Sequence, residues 1–575
     1  MSFVLHGISI SGGVAIGRAH LMSHARLEAA HYTIPKEQIA EEQQRFSAAV
    51  ATARRELEEL QCNVPPTAPV EFKAFINLHQ MILDDAMLSQ APQQIIADER
   101  CNAEWALRTQ ADAMLTQFDQ IDDGYLRERK ADVRQVAERV MKALLGLPGH
   151  VPPPATDGKH RAILIAHDLS PADVVQFKQY SFASFLTDLG GATSHTAVVA
   201  RSLNIPSIVA LHHARQMIRE NELLIVDGTA GVVIVDPDQQ VFSEYQLRQR
   251  QWDIERQKLK RLRNTPATTL DGETVELHAN IELPEDVALA REGGANGIGL
   301  FRSEFLYLNR DDLPGEEEQF EAFRKVAQAM DGLPVTIRTY DLGADKQTDD
   351  ASRLATNPAL GMRAIRLSLM QPLRFQVQLR ALLRASHYGN VRILIPMLMS
   401  AAEISQTLAM VAQAKQSLDD DDIPYDPQVA VGGMIEIPAA ALALGLFTKT
   451  LDFLSIGTND LIQYTLALDR TDDTVSHLHD PLHPAVLKLI AYVIKTADRA
   501  GTPVALCGEM AGDVELTRLL LGFGLRQFSM HPAHLLTVKQ RILKSSAAHT
   551  RAIAQKMLRA EDPDKLRRLL DKLNA

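Results

Sequence analysis

The segment TDLGGATSHTAVVARSLNIPSIV, Thr187 to Val209, sets one of the chain's 19 histidines, His195, where a glycine turn meets a new helix. Gly190 and Gly191 permit the tight backbone, Thr193 or Ser194 can cap, and Ala197, Val198, Val199 and Ala200 supply an apolar body. The positive end of a helix disfavours imidazolium and leaves a neutral, nucleophilic ring nitrogen. The same free N–H groups favour a phosphoryl dianion once it arrives. Metal ligation fits less well, because no second His or Cys stands at ligand spacing. A serine hydrolase on Ser194 lacks its GxSxG elbow.

A second set of reactive side chains lies beyond Pro266. Arg302, Arg338, Lys346, Arg363 and Arg470 all stand at or just after β-type runs. Guanidinium forks grip phosphate and carboxylate oxygens in pairs, so together they suit a small substrate bearing both groups; singly, each is an ordinary surface or ion-pairing residue. Glu436 and Asp460 follow apolar runs, where a carboxylate is costly unless it is paired or binds a cation. Two readings stand side by side: hard oxygen ligands for Mg2+, or salt-bridge partners of the arginines. Asn459 can bind phosphate or orient the ligand. Cys507 ends the run PVAL, either as a small core residue or as a thiol that delivers a proton to carbon.

Bringing these positions together requires a parallel barrel. After residue 266 there is room for a (β/α)8 fold of roughly 250 residues with extensions. Eight β-rich runs can be read: VELHANI, GIGLFRSEF, VTIRTYDLG, RILIPMLM, VAVGGMIEI, DFLSIGTND, PVALCGEM and RQFSM. Several finish on a polar or reactive residue, namely Asn280, Arg302, Arg338, Glu436, Asn459 with Asp460, Cys507 and Ser529. In such a barrel all these ends open on one mouth.

The N-terminal half reads as a helical domain inserted into an α/β one. Extended chain with Gly12, Gly13 and Gly17 comes first. Four amphipathic helices follow, marked by Phe46, Val50 and Leu57, by Phe75, Ile76 and Leu83, by Leu107, Met114 and Leu115, and by Val133, Val136 and Val140. Strand texture returns after VPPPAT, and a charged helix closes the half. The boundaries expected are 1–32 with 147–243 for the α/β domain, 33–146 for the insert, 244–266 for a linker helix and 267–575 for the barrel.

Composition limits the function classes. A chain of 575 residues with 46% hydrophobic and 23% charged residues accommodates three or four globular domains. Its 60 Lys and Arg against 72 Asp and Glu leave a net charge of −12, which gives no general electrostatic case for nucleic acid or a membrane surface. Cys62, Cys101 and Cys507 form no CxxC and leave one thiol unpaired in any disulfide scheme, which points to a reducing, cytoplasmic compartment.

The stretches GGATSHTAVVARS, GIGLFRSEFLY, TIRTYDLGADK, NPALGMRAIR, GGMIEIPAA, SIGTNDLIQYTLALDR and CGEMAGD together resemble Enzyme I of the bacterial phosphoenolpyruvate:sugar phosphotransferase system, nearly end to end. The resemblance implies that His195 is phosphorylated through Nε2. Arg302, Arg338, Asn459 and Arg470 would bind phosphoenolpyruvate, Glu436 and Asp460 would hold Mg2+, and Cys507 would protonate the enolate to pyruvate. It also implies that the first α/β domain swivels, that the insert docks the carrier HPr, and that the barrel half dimerises. Ala192 stands where many relatives carry Arg, and Ala344 replaces a common glycine. Two other readings are weighed against it. A silent phosphoenolpyruvate sensor has no need of a nucleophile. A pyruvate phosphate dikinase or phosphoenolpyruvate synthase needs an ATP-grasp domain, and no glycine-rich phosphate loop precedes His195.

Overall fold

The computed structural model describes residues 2–22, 31–62, 70–119, 124–146, 161–167, 182–189, 205–307, 313–342, 358–469, 475 and 478–575. The chain divides into two compact units, Met1–Glu255 and Arg256–Ala575.

The first unit is built on an eight-stranded sheet of order β1-β8-β7-β3-β4-β5-β6-β2. Its strands are β1 Phe3–His6, β2 Ile8–Ser11, β3 Val14–Leu21, β4 Arg161–Ala166, β5 Ser184–Thr187, β6 Ser207–Val209, β7 Leu223–Asp227 and β8 Val232–Val235. The central run from β3 through β4 and β5 to β6 is parallel, and the strands outside it pair antiparallel. β3 and β4 lie side by side although about 140 residues separate them in sequence, so the helices between them are an insertion into the α/β fold.

The insert carries α1 Ile39–Cys62, α2 Val70–Asp84, α3 Ala86–Ser89, α4 Ala91–Glu99, α5 Ala103–Asp119 and α6 Gly124–Leu144. α1, α2, α5 and α6 are the four expected helices, and the short α3 and α4 add to them. The extra breaks have local causes. The Asp85 carboxylate accepts from the Met87 N–H at 2.8 Å and starts α3, Pro92 opens α4, and Arg100 takes a left-handed φ of 53° after it. Phe46, Leu57, Ile76, Leu107, Val136 and Val140 form the insert's own buried core. A separate cluster, including Ile163, Ile165, Leu186, Val226 and Val233, fills one face of the sheet.

The charged helix expected from residue 244 begins earlier, as α7 Ala214–Met217 is followed by α8 Gln239–Arg261. Val241, Phe242 and Tyr245 pack on Ile16, Ile225 and Ile234, so the start of α8 belongs to the sheet's second face. Their apolar side chains are too few to give a periodic signal within so polar a helix.

The second unit is the expected barrel. β9 Glu276–Ile281, β10 Ile298–Arg302, β11 Val335–Arg338, β12 Val391–Ile395, β13 Ala430–Ile435, β14 Phe453–Ile456, β15 Val504–Leu506 and β16 Gln527–Met530 close on themselves, every pair parallel. Buried Phe301, Phe323, Phe375, Phe447 and Phe528 join one continuous core between the barrel and its outer helices. Leu300, Leu394, Met434 and Phe453 pack within the strand layer together with Cys507. No described helix is long and apolar enough to cross a membrane.

Candidate active site

At the carboxyl end of the barrel a cavity of about 360 Å³ is lined by Arg302, Arg338, Glu436, Asn459, Asp460 and Cys507, six of the expected site residues. Arg363, Glu304, Asp341 and Glu509 line it too. Each expected residue stands where a strand ends: Arg302 and Arg338 are the last residues of β10 and β11, Glu436 follows β13, and Cys507 follows β15. Asn459 and Asp460 lie in the first turn of the helix Thr458–Leu466, whose positive end favours a carboxylate or a phosphate. His195, Lys346 and Arg470 lie outside the described residues.

The arginines are held by carboxylates that sequence reading passed over. Arg338 is buried and ion-paired to Glu304, and its Nη1 lies 3.2 Å from Asp341 Oδ2. Burial opposes its charge, but Glu304, Asp341 and Glu436 outweigh that and hold the guanidinium above its ordinary pKa. The other Asp341 oxygen accepts from Arg363 Nη2 at 2.8 Å, so one carboxylate spaces two guanidiniums. Arg302 pairs with Glu282 at 2.9 Å. Among the described residues, Glu304, Asp341 and Glu282 make the ion pairs to these arginines, while the charges of Glu436 and Asp460 favour the Arg338 and Arg363 guanidiniums without an ion pair to either. The available signal was an acid two or three residues after each strand-end arginine: Glu304 after Arg302, and Asp341 after Arg338.

Glu436 is almost wholly buried, with one oxygen accepting from the Met397 N–H at 2.6 Å. Its other oxygen, Oε2, has no hydrogen-bond partner. Burial first, then the charges of Asp460 and Asp341, push its pKa up to about 8, with Arg338 opposing. A buried carboxylate with a spare oxygen, crowded by like charges, fits a cation site. Among the described residues no group of three or more His, Cys, Asp or Glu comes together around such an ion. With Glu436 and Asp460 as ligands, such an ion would take the rest of its shell from other groups.

Cys507 is buried, its Sγ 3.6 Å from the Ile456 carbonyl oxygen. Burial pushes the thiol up to about 11, so it stays a proton carrier at neutral pH. Gly508 permits the close approach beside it, since a Cβ there would sit 1.9 Å from Thr458 Oγ1. Asn459 locks the neighbouring loop: its Oδ1 accepts from the Glu509 N–H at 2.9 Å.

Guanidinium forks able to grip an anion, two carboxylates able to meet a cation and a buried thiol thus line one small cavity. The model of the PEP-utilising enzyme PEP-binding domain matches residues 256–547, which hold all of it. The PEP-utilising N-terminal and mobile domains match 6–129 and 158–231. A protein of Cupriavidus necator named phosphoenolpyruvate-protein phosphotransferase is 55% identical over 98% of each chain. Proteins of that name from Bacillus subtilis and Staphylococcus aureus are each 39% identical, covering 96% and 94% of each chain. The chain belongs to the phosphoenolpyruvate-protein phosphotransferase family. Family membership covers both units, since the matched segments extend from residue 6 to residue 547.

Proposed function

We propose that this phosphoenolpyruvate-dependent phosphotransferase moves the phosphoryl group of phosphoenolpyruvate onto His195 Nε2, releases pyruvate, and then passes the group to a histidine of a small HPr-type carrier protein, the first step of a sugar phosphotransferase system. The observation that carries the reading is the cavity at the barrel mouth, where Arg302, Arg338, Glu436, Asn459, Asp460 and Cys507 meet.

The arginines bind the substrate carboxylate and phosphate, with Arg470 and Asn459 completing the grip. Glu436 and Asp460 would hold Mg2+, which when bound supplies positive charge against the phosphate and enol oxygens. His195 attacks phosphorus in line as the bond to the enol oxygen breaks. The enolate carbon then takes the proton from Cys507, giving pyruvate.

The assignment divides the chain into a phosphohistidine domain of residues 1–32 with 147–243, a carrier-docking insert of 33–146, a linker of 244–266 and a barrel of 267–575. The insertion between β3 and β4 and the closed barrel support it. The protein works in the cytoplasm, in keeping with its free thiols at Cys101 and Cys507. A homodimer through the barrel half accords with Leu373 being 83% exposed, alongside exposed Leu360 and Met370.

Incubation with phosphate-labelled phosphoenolpyruvate and Mg2+ tests the reading. An acid-labile, base-stable label is expected on the wild type and not on His195→Ala; a label that survives this change ends the assignment. Passage of the label to purified HPr tests the second step.

A further inference from the structure

Cys507 is held from two further strands. Its backbone N–H donates to the Ile456 carbonyl at 3.0 Å on β14. Its own carbonyl accepts from Asn280 Nδ2 at 2.9 Å, on β9. Asn280 is oriented in turn, because its Oδ1 accepts from Ser529 Oγ at 2.5 Å on β16. Ser529 is buried, and Gly299 makes room for it: a Cβ at 299 would lie 2.3 Å from Ser529 Oγ. The Asn280 amide thus accepts from the serine through Oδ1 and gives one of its two N–H groups to the Cys507 carbonyl. Neither side chain lines the cavity.

We infer that Asn280 and Ser529 are positioning residues for the Cys507 thiol: the Ser529–Asn280–Cys507 hydrogen-bond chain sets the peptide that aims Sγ at one face of the enolate carbon. This rests on Cys507 being the acid of the proposed reaction. In that step the S–H bond breaks, a C–H bond forms at the substrate's terminal carbon, and the thiolate is reprotonated by water. A thiol has one hydrogen and a short reach, so a small rotation of its peptide misaligns it. An enolate it fails to reach leaves the site and is protonated in solution on either face. A role confined to closing the barrel between β16 and β9 predicts lost stability with the stereochemistry of protonation unchanged.

The test is a single turnover of the full chain with Mg2+ and phosphoenolpyruvate stereospecifically deuterated at its terminal carbon, in tritiated water, reading the chirality of the pyruvate methyl group. The wild type is expected to give one handedness and Cys507→Ala a racemic methyl. Asn280→Asp, which removes the donor at constant shape, and Ser529→Ala, which removes the brace, are expected to keep the KM for phosphoenolpyruvate within about twofold. Their pyruvate formation should slow by about 10- to 100-fold, with partial racemisation. If Asn280→Asp does not fold, Ser529→Ala decides. Full handedness in the variants, with or without a lower melting temperature, overturns the inference. Retained handedness in Cys507→Ala instead overturns the assignment of Cys507 as the acid.

Discussion

The two units handle burial in opposite ways. The barrel gathers most of its buried apolar residues into one large core, with small clusters around Leu300 and Tyr340 beside it, and its mouth keeps charged groups out of water: Arg338 and Glu436 are both buried. The first unit divides its apolar residues among separate clusters, one for the insert and others for the two sheet faces. A continuous core fixes many strand ends relative to one another, which an anion cup with buried ions needs. Divided cores let an insert and a sheet be altered independently, which suits parts that meet different partners.

The sharpest break of that contrast is Arg338→Met. It leaves Glu304 and Asp341 facing each other without the buried guanidinium between them. Phosphoenolpyruvate-dependent labelling should fall by about 10²- to 10³-fold. Calorimetry should show the barrel transition weakened by about 3–5 kcal/mol, with the transition of the first unit unmoved. A matching shift in both transitions would deny the separation.

Phe46→Ala empties a fully buried position of the insert. A loss of about 3–5 kcal/mol is expected there, while phosphoenolpyruvate binding to the barrel, followed by titration calorimetry, stays as in the wild type. On the docking role proposed for the insert, carrier binding should weaken along with it.

A thiol pushed up to about 11 should resist alkylation by iodoacetamide at neutral pH and react only as pH climbs past about 10. The linkage has a definite sign. Because the folded thiol holds its proton more tightly than the unfolded one, any stability from that preference is complete below the ordinary thiol pKa. It fades as pH rises toward 11. Peptide mapping of the alkylated protein reads Cys507 directly, and rapid modification at neutral pH would contradict the burial.

The smallest effect is expected at Asp271, whose carboxylate accepts from the Ala547 and Ala548 N–H groups at 2.9 and 2.8 Å. The Thr269 hydroxyl and those amides hold its pKa below the usual carboxylate range. What it adds is therefore present above the ordinary carboxylate pKa and is lost on acidification through the folded value. Asp271→Asn should lower the barrel transition slightly at neutral pH and leave no difference from wild type in strong acid.

Much of the barrel was legible because a buried parallel strand writes itself as a short apolar run, and five of the eight runs end in or beside a residue that lines the mouth, while Asn280 and Ser529, also expected there, do not line it. Glu304 and Asp341 were not legible as partners of Arg338, since an acid after a strand looks the same whether it is solvated or folded back. The early start of α8 was hidden for a related reason: three apolar residues mark a contact only when the sheet face they cover is known.

By its sequence alone this chain determined its family, its parallel barrel, the insertion of helices into an α/β domain, and which residues with phosphate, cation and proton chemistry stand at strand ends. Those features follow from local patterns of apolar and turn residues and from motifs contiguous in the chain. Tertiary structure alone decided that Asp341 spaces two guanidiniums, that Glu436 keeps an unpartnered oxygen, and that Asn280 and Ser529 reach across the closing seam to the Cys507 peptide. Each of these depends on the distance between atoms of different strands, which is set only when the sheet closes.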